Sequence, residues 1–158
     1  MGNQMPGHEP HHGHRSYRNL AIELAIDFVI MYFVMYTMID SVDHLHLNIN
    51  NLYMTLMMVA PMAVLMLVTM RSMFGNGQLN MGVIAAAVLV FALSFWAMRT
   101  QAAVGDREFL RSMIPHHSGA ILMCQQASLR DPEIVKLCSG IVESQKAEIA
   151  EMERLLAR

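Results

Sequence analysis

The stretch SMIPHHSGAILMC, residues 112–124, concentrates the residue types in this chain that could do chemistry. Met113, His116 and Met123 fall on one helical face at i, i+3 and i+10, and His117 stands at i+4 from Met113. Thioether and imidazole together make a soft-to-intermediate ligand set, which favours Cu(I) over calcium, magnesium or manganese. A carboxylate-rich cluster would point to iron or manganese and a Cys/His cluster to zinc, and neither describes this stretch. The plain alternative is a pair of surface histidines beside core methionines, and spacing alone leaves both readings open. The absence of an inward Glu-x-x-His pair argues against a di-iron bundle, so no enzyme activity is expected.

Sulfur recurs elsewhere, with 17 methionines against one Trp, four Tyr and six Phe. Met54, Met58, Met62, Met66 and Met70 repeat every four residues past Pro61, a stripe that interhelix or lipid-facing packing also explains. Glu23, Asp27, Met31, Met35 and Met38 lie along one side of an earlier apolar run, which leads into Asp40, Asp43, His44 and His46. Acidic groups within a membrane span are costly and usually face a bundle interior or a polar cavity. Asp27, Met31, Met35, Met58 and Met62 are therefore candidates for a membrane pathway, and Asp40, Asp43, His44 and His46 for additional metal ligands.

Cys124 and Cys138 are too few for a disulfide framework and are not spaced as CxxC. They read as a Cu(I)-binding thiolate pair, as one disulfide in an oxidising compartment, or as small core residues. Core packing ranks first, because a bridge needs Cα atoms within about 7 Å whereas packed helix axes lie about 8–10 Å apart.

The elements that must position these groups follow from composition. The chain is 54% hydrophobic and 15% charged, with mean hydropathy +0.35, which reads as a membrane protein. A net charge of -2 provides no basic surface, which sets nucleic acid aside as a partner. Residues 1–18 read as a disordered tail in which His8, His11, His12 and His14 are either loose metal ligands or incidental. This start has neither a cleavable signal nor a myristoylation signal, so the first apolar run is expected to stay as an anchor.

Within 19–99, three apolar segments at roughly 20–41, 52–74 and 79–98 are each long enough to cross about 30 Å of hydrocarbon. Arg15, Arg18 and Arg71 against an Arg- and Lys-free first loop put the N-terminus in the cytoplasm of a cell inner or plasma membrane, although Arg99, Arg107 and Arg111 pull the other way.

Residues 104–158 read as an αα-hairpin with its break at SLRDPEIVKL, where Asp131 caps and Pro132 takes the first helical position. Ile134, Leu137, Ile141, Gln145, Ile149, Met152 and Leu156 are expected to form the inner face of its second helix. Antiparallel pairing sets Cys124 level with Cys138, His117 with Gln145, and Met113 near Ile149 and Met152. Two helices bury a single seam, so the hairpin should pack on a second copy or on the membrane helices.

The segments DREFLRSMIPHHSGAILMCQQA and DPEIVKLCSGIVESQKAEIAEMERLL closely resemble the family called domain of unknown function 305, which includes CopM-like copper-binding proteins. Its pattern, an aromatic, MIxHHxxAIxM, a short loop and IxxxQxxEIxxM, is met over residues 106–156 by Phe109, Met113, His116, His117, Ala120, Met123, Gln145, Glu148 and Met152 among others. The resemblance implies a ferritin-like bundle outside the cytoplasm, binding Cu(I) or Cu(II) and serving copper tolerance. It makes Met113, His116, His117, Met123 and Met152 the ligand candidates. A single hairpin, where soluble members often carry a whole bundle, implies homo-oligomerisation, and Cys124 and Cys138 stand where small residues are usual.

The expected fold is therefore all-α: three transmembrane helices and a hairpin that completes a bundle by assembly. The expected function is copper sequestration at the outer face. The alternative is a Met-lined oligomeric copper transporter, since three spans with MxxxM spacing resemble the trimeric copper-uptake channels. Those channels use GxxxG in the third span, of which Gly82 and Ala86 are only an echo.

Overall fold

A computed structural model describes residues 12–158, with side chains from Arg15 onward; the His-rich tail before residue 12 lies outside the described residues. Those described are all-helical: α1 (His12–Val34), α2 (Ile49–Thr69), α3 (Gly77–Thr100), α4 (Asp106–Gln126) and α5 (Pro132–Leu156). Two 3₁₀ turns, Met35–Met38 and Val42–His44, connect α1 to α2.

Three stretches, Arg15–Met38, Ile49–Thr69 and Gly77–Thr100, are long and apolar enough to cross a membrane, and the chain is a membrane protein. Their limits differ from the apolar runs for local reasons. The first helix begins at His12, ahead of position 20, so residues 12–18, expected within a disordered tail, are helical instead; Tyr17, packed on Phe74, holds this end where chain hydropathy gave no signal. Asn48 caps α2 by accepting the Asn51 N–H at 2.9 Å, which starts that helix before Leu52. Past Thr69 the chain turns, and Phe74 folds back into a buried cluster with Leu20 and Leu67. The Tyr17 ring lies 5.2 Å from that of Phe74, and the Tyr17 hydroxyl donates to Asn80 Oδ1 at 2.7 Å. Residues 70–74 thus close one end of the three-helix unit instead of extending α2.

Ala60 and Ala63 of α2 meet Ala87 of α3, small residues that let two spans approach closely. Gly82 and Ala86 are exposed, so the small-residue echo does not form that contact.

The hairpin closes as its signals indicate: Asp131 Oδ1 accepts from the N–H groups of Glu133 and Ile134, with Pro132 at the helix start. Its seam buries Ile114, Ile121, Ile149 and Met152, with Leu110, Val142 and Leu156 packed around them. The expected inner face of α5 holds only in its second half. Ile134 and Leu137 are 46% and 63% exposed, because the disulfide described below, beside the loop, turns Cys138 rather than its apolar neighbours toward α4.

Candidate metal centre

α4 is buried through Ile114, His117, Ser118 and Ile121. Its other side, with Met113, His116 and Met123, lines a cavity of about 530 Å³ between the hairpin and the ends of the spans. Across this space stand Met35 and Met38 of the first 3₁₀ turn, Met54 of α2 and Met98 of α3. Asn48, Asn50, Asn51, Gln101 and Ser112 supply neutral polar groups, and the lining contains no Asp, Glu, Lys or Arg side chain.

The connection between α1 and α2 holds the two walls together. Ser118 is fully buried, and its Oγ accepts the Asp40 N–H at 2.7 Å while hydrogen-bonding His44 Nδ1 at 2.8 Å. The next residue, Gly119, leaves room for the Met38 carbonyl, which would lie 3.3 Å from an added Cβ. Tyr36 donates to the His46 carbonyl at 2.9 Å, and the Asn48 amide donates to both the Tyr36 hydroxyl and that carbonyl. The Asp40 and Asp43 side chains are exposed and do not converge with the histidines.

Gln101 and Ala103, between α3 and α4, adopt left-handed backbone at φ 52° and 58°, a region that costs L-residues about 1 kcal/mol or more. Gln101 stays there with its side chain engaged: Nε2 donates to the Met98 carbonyl at 2.7 Å and Oε1 accepts from Asn50 Nδ2 at 3.1 Å. This ties the end of α3 to the start of α2 at the cavity rim. Asn50 Oδ1 is then left buried without a hydrogen-bond partner.

The five hairpin candidates divide. Met113, His116 and Met123 face the cavity, whereas His117 and Met152 are buried in the seam. His117 meets Glu148, not Gln145: its Nε2 lies 2.7 Å from Glu148 Oε2 and its Nδ1 2.9 Å from the Met113 carbonyl. The Ser144 hydroxyl, donating to Glu148 Oε1 at 2.7 Å, and then the His117 ring hold the Glu148 carboxyl below its usual range. This pair locks α4 to α5 one residue from His116.

Cys124 and Cys138 form a disulfide with Cα atoms 5.3 Å apart, which corrects the core-packing expectation and leaves no thiolate for a metal. Axis separation misled here. Residues facing one another across a seam stand nearer than the axes by a helix radius of about 2.3 Å on each side, which brings an 8–10 Å spacing into bridging range.

Of the pathway candidates, only Met35 reaches the cavity; Asp27, Met31 and Met62 are half-buried elsewhere in the spans and Met58 is 41% exposed. Among the described residues, no group of three or more His, Cys, Asp or Glu converges as a hard-ligand or zinc-type cluster. His46 Nε2 is buried without a hydrogen-bond partner. Burial pulls His46 below its ordinary value, the Arg111 and His44 charges add to this, and the Glu153 carboxylate opposes it. Met98 and the Asn and Gln rim carried no signal in the sequence, because their membership depends on how the spans dock against α4.

Residues 92–156 match a family described as Domain of unknown function (DUF305), a segment that begins inside α3, earlier than the hairpin. Uncharacterized protein L153 of Acanthamoeba polyphaga mimivirus is 35% identical over 119 residues, which cover 74% of this chain and 76% of that protein. The similarity therefore reaches beyond the hairpin into the spans. No solved structure matches.

Proposed function

The chain belongs to the DUF305 family, and from that premise we propose that it is a copper-binding membrane protein that sequesters copper, Cu(I) in preference, at the outer face of the membrane and so contributes to copper homeostasis. The observation that carries this reading is the convergence of Met113, His116 and Met123 on one cavity lined by no Asp, Glu, Lys or Arg. Thioethers and an imidazole suit a soft monovalent ion, whereas hard divalent cations need oxygen donors, carboxylates above all, to replace their water. His117 and Met152 serve the fold of the site: the first anchors its helix and the second fills the seam.

The outer placement draws support from the Cys124–Cys138 bridge, since disulfides persist in oxidising compartments. Self-association draws support from Ile134, Leu137 and the half-buried Ile141, an apolar strip that α4 leaves uncovered and that a second hairpin would bury in a four-helix bundle.

The test is the copper content of the full chain purified in detergent, beside a triple variant carrying Met113→Leu, His116→Ala and Met123→Leu. Wild type should retain Cu(I) with sulfur scattering in X-ray absorption, and the variant should lose most of it. Equal copper in the two proteins would sink the proposal.

A further inference from the structure

We infer that the membrane spans do more than anchor the hairpin: Met35, Met38, Met54 and Met98 form the second half of the metal site, so that one Cu(I)-binding centre is shared between the membrane region and α4. This rests on the copper reading of the hairpin and adds a ligand wall that the hairpin motif does not contain.

Two observations lead there. First, the four methionines come from three separate elements, the 3₁₀ turn, α2 and α3, yet face the same space as Met113, His116 and Met123. Methionine ordinarily serves a core by filling irregular gaps. Here the methionines line a half-open space of about 530 Å³ instead of filling it, with Met38, Met54 and Met123 40–60% exposed and Met35 Sδ accepting from the Thr55 hydroxyl at 3.6 Å.

Second, the walls are pinned at fixed separation. Ser118 and Gly119 hold the 3₁₀ turn against α4, and Gln101 in its left-handed conformation joins α3 to α2 at the rim. A ligand set gathered from several elements gains most when those elements are held beforehand, because less ordering is left for the binding step.

A lining without Asp, Glu, Lys or Arg selects the ion. A monovalent soft cation leaves a net charge of one in the cavity, and thioether sulfur needs no deprotonation to bind it. The shared centre would bind Cu(I) and its soft analogue Ag(I), and would discriminate against Zn(II).

The experiment uses the full chain in detergent micelles, with Cu(I) held reduced by ascorbate and titrated against a colorimetric Cu(I) chelator. Three proteins are compared: wild type, the hairpin triple variant, and a span variant carrying Met35→Leu, Met38→Leu, Met54→Leu and Met98→Leu. Met-to-Leu changes nearly conserve volume and are usually tolerated in cores. Equal helicity and thermal unfolding confirm that each variant is folded; the single variants Met54→Leu and Met98→Leu replace the quadruple one if it is not.

The span variant is expected to bind Cu(I) at least tenfold more weakly and to lose sulfur scattering in X-ray absorption, with each single change giving a smaller loss in the same direction. If span changes leave affinity and sulfur number unchanged while the hairpin variant loses copper, the shared centre is overturned and the hairpin reading stands. If the hairpin variant keeps full affinity, both fall, whatever the span variant does.

Discussion

Ser118 is a small residue with a large structural role. It is fully buried, and its single oxygen accepts the Asp40 N–H and bonds His44, so two segments far apart in sequence meet on one atom. The Asp40 amide is therefore a reporter for docking of the α1–α2 connection, and His46 makes that docking pH-dependent. The docked state holds His46 below its ordinary value of 6.5. Above pH 6.5 the ring is neutral whether the connection is docked or free, and this group exerts no pH effect. As pH falls below 6.5 the free state takes up the proton first, so docking weakens toward acid. Hydrogen exchange at the Asp40 amide, corrected for intrinsic rate, should accelerate between pH 6.5 and 5, and His46→Asn should flatten that dependence. That Met113 and His116 of MIPHH share one helical face was legible at this scale. That His117 would be committed to Glu148 was not, because adjacent histidines on a helix point about 100° apart and the sequence does not say which faces the seam.

At the scale of elements, α4 presents one side to α5 and another to the cavity, and Pro115 lies inside it between the two uses. The hairpin that carries α4 was largely legible: Asp131 and Pro132 mark the start of α5, and the seam residues recur at helical spacing. Its loop end was not, since exposed Ile134 and Leu137 share the periodicity of buried residues. The disulfide near the loop closes a segment with a sequence separation of 14. In the chain-entropy view a closure of that length contributes about 3 kcal/mol. Replacing both Cys124 and Cys138 by Ser should therefore lower the unfolding temperature of the hairpin by several degrees while copper binding at saturating Cu(I) persists. Calorimetry of the purified chain measures the first effect and metal content the second. Loss of copper alone, at unchanged stability, would return the sulfur atoms to the list of ligands.

Across the whole molecule, three spans and a hairpin were legible from hydropathy and charge, but their relation to each other was not. That relation is made by the Met35–His46 segment and by Gln101, short irregular stretches whose hydrogen bonds leave no periodic trace. The same scale governs assembly. If copies pair through the apolar strip of α5, then Ile134→Glu with Leu137→Glu should shift the detergent-solubilised protein to a smaller species in sedimentation velocity, with helicity retained. An unchanged species would move the contact to the membrane faces.

The 3₁₀ turn at Met35–Met38 has a geometric consequence for the site it borders. At three residues per turn, positions i and i+3 eclipse, whereas an α-helix would leave them about 60° out of line. By tightening its winding where α1 ends, the chain sets Met35 and Met38 one above the other on a single edge, as two teeth of a comb facing the cavity. Sulfur spacing there is a property of backbone pitch. A change that relaxed the turn to α-helical winding would detune the pair without altering either methionine.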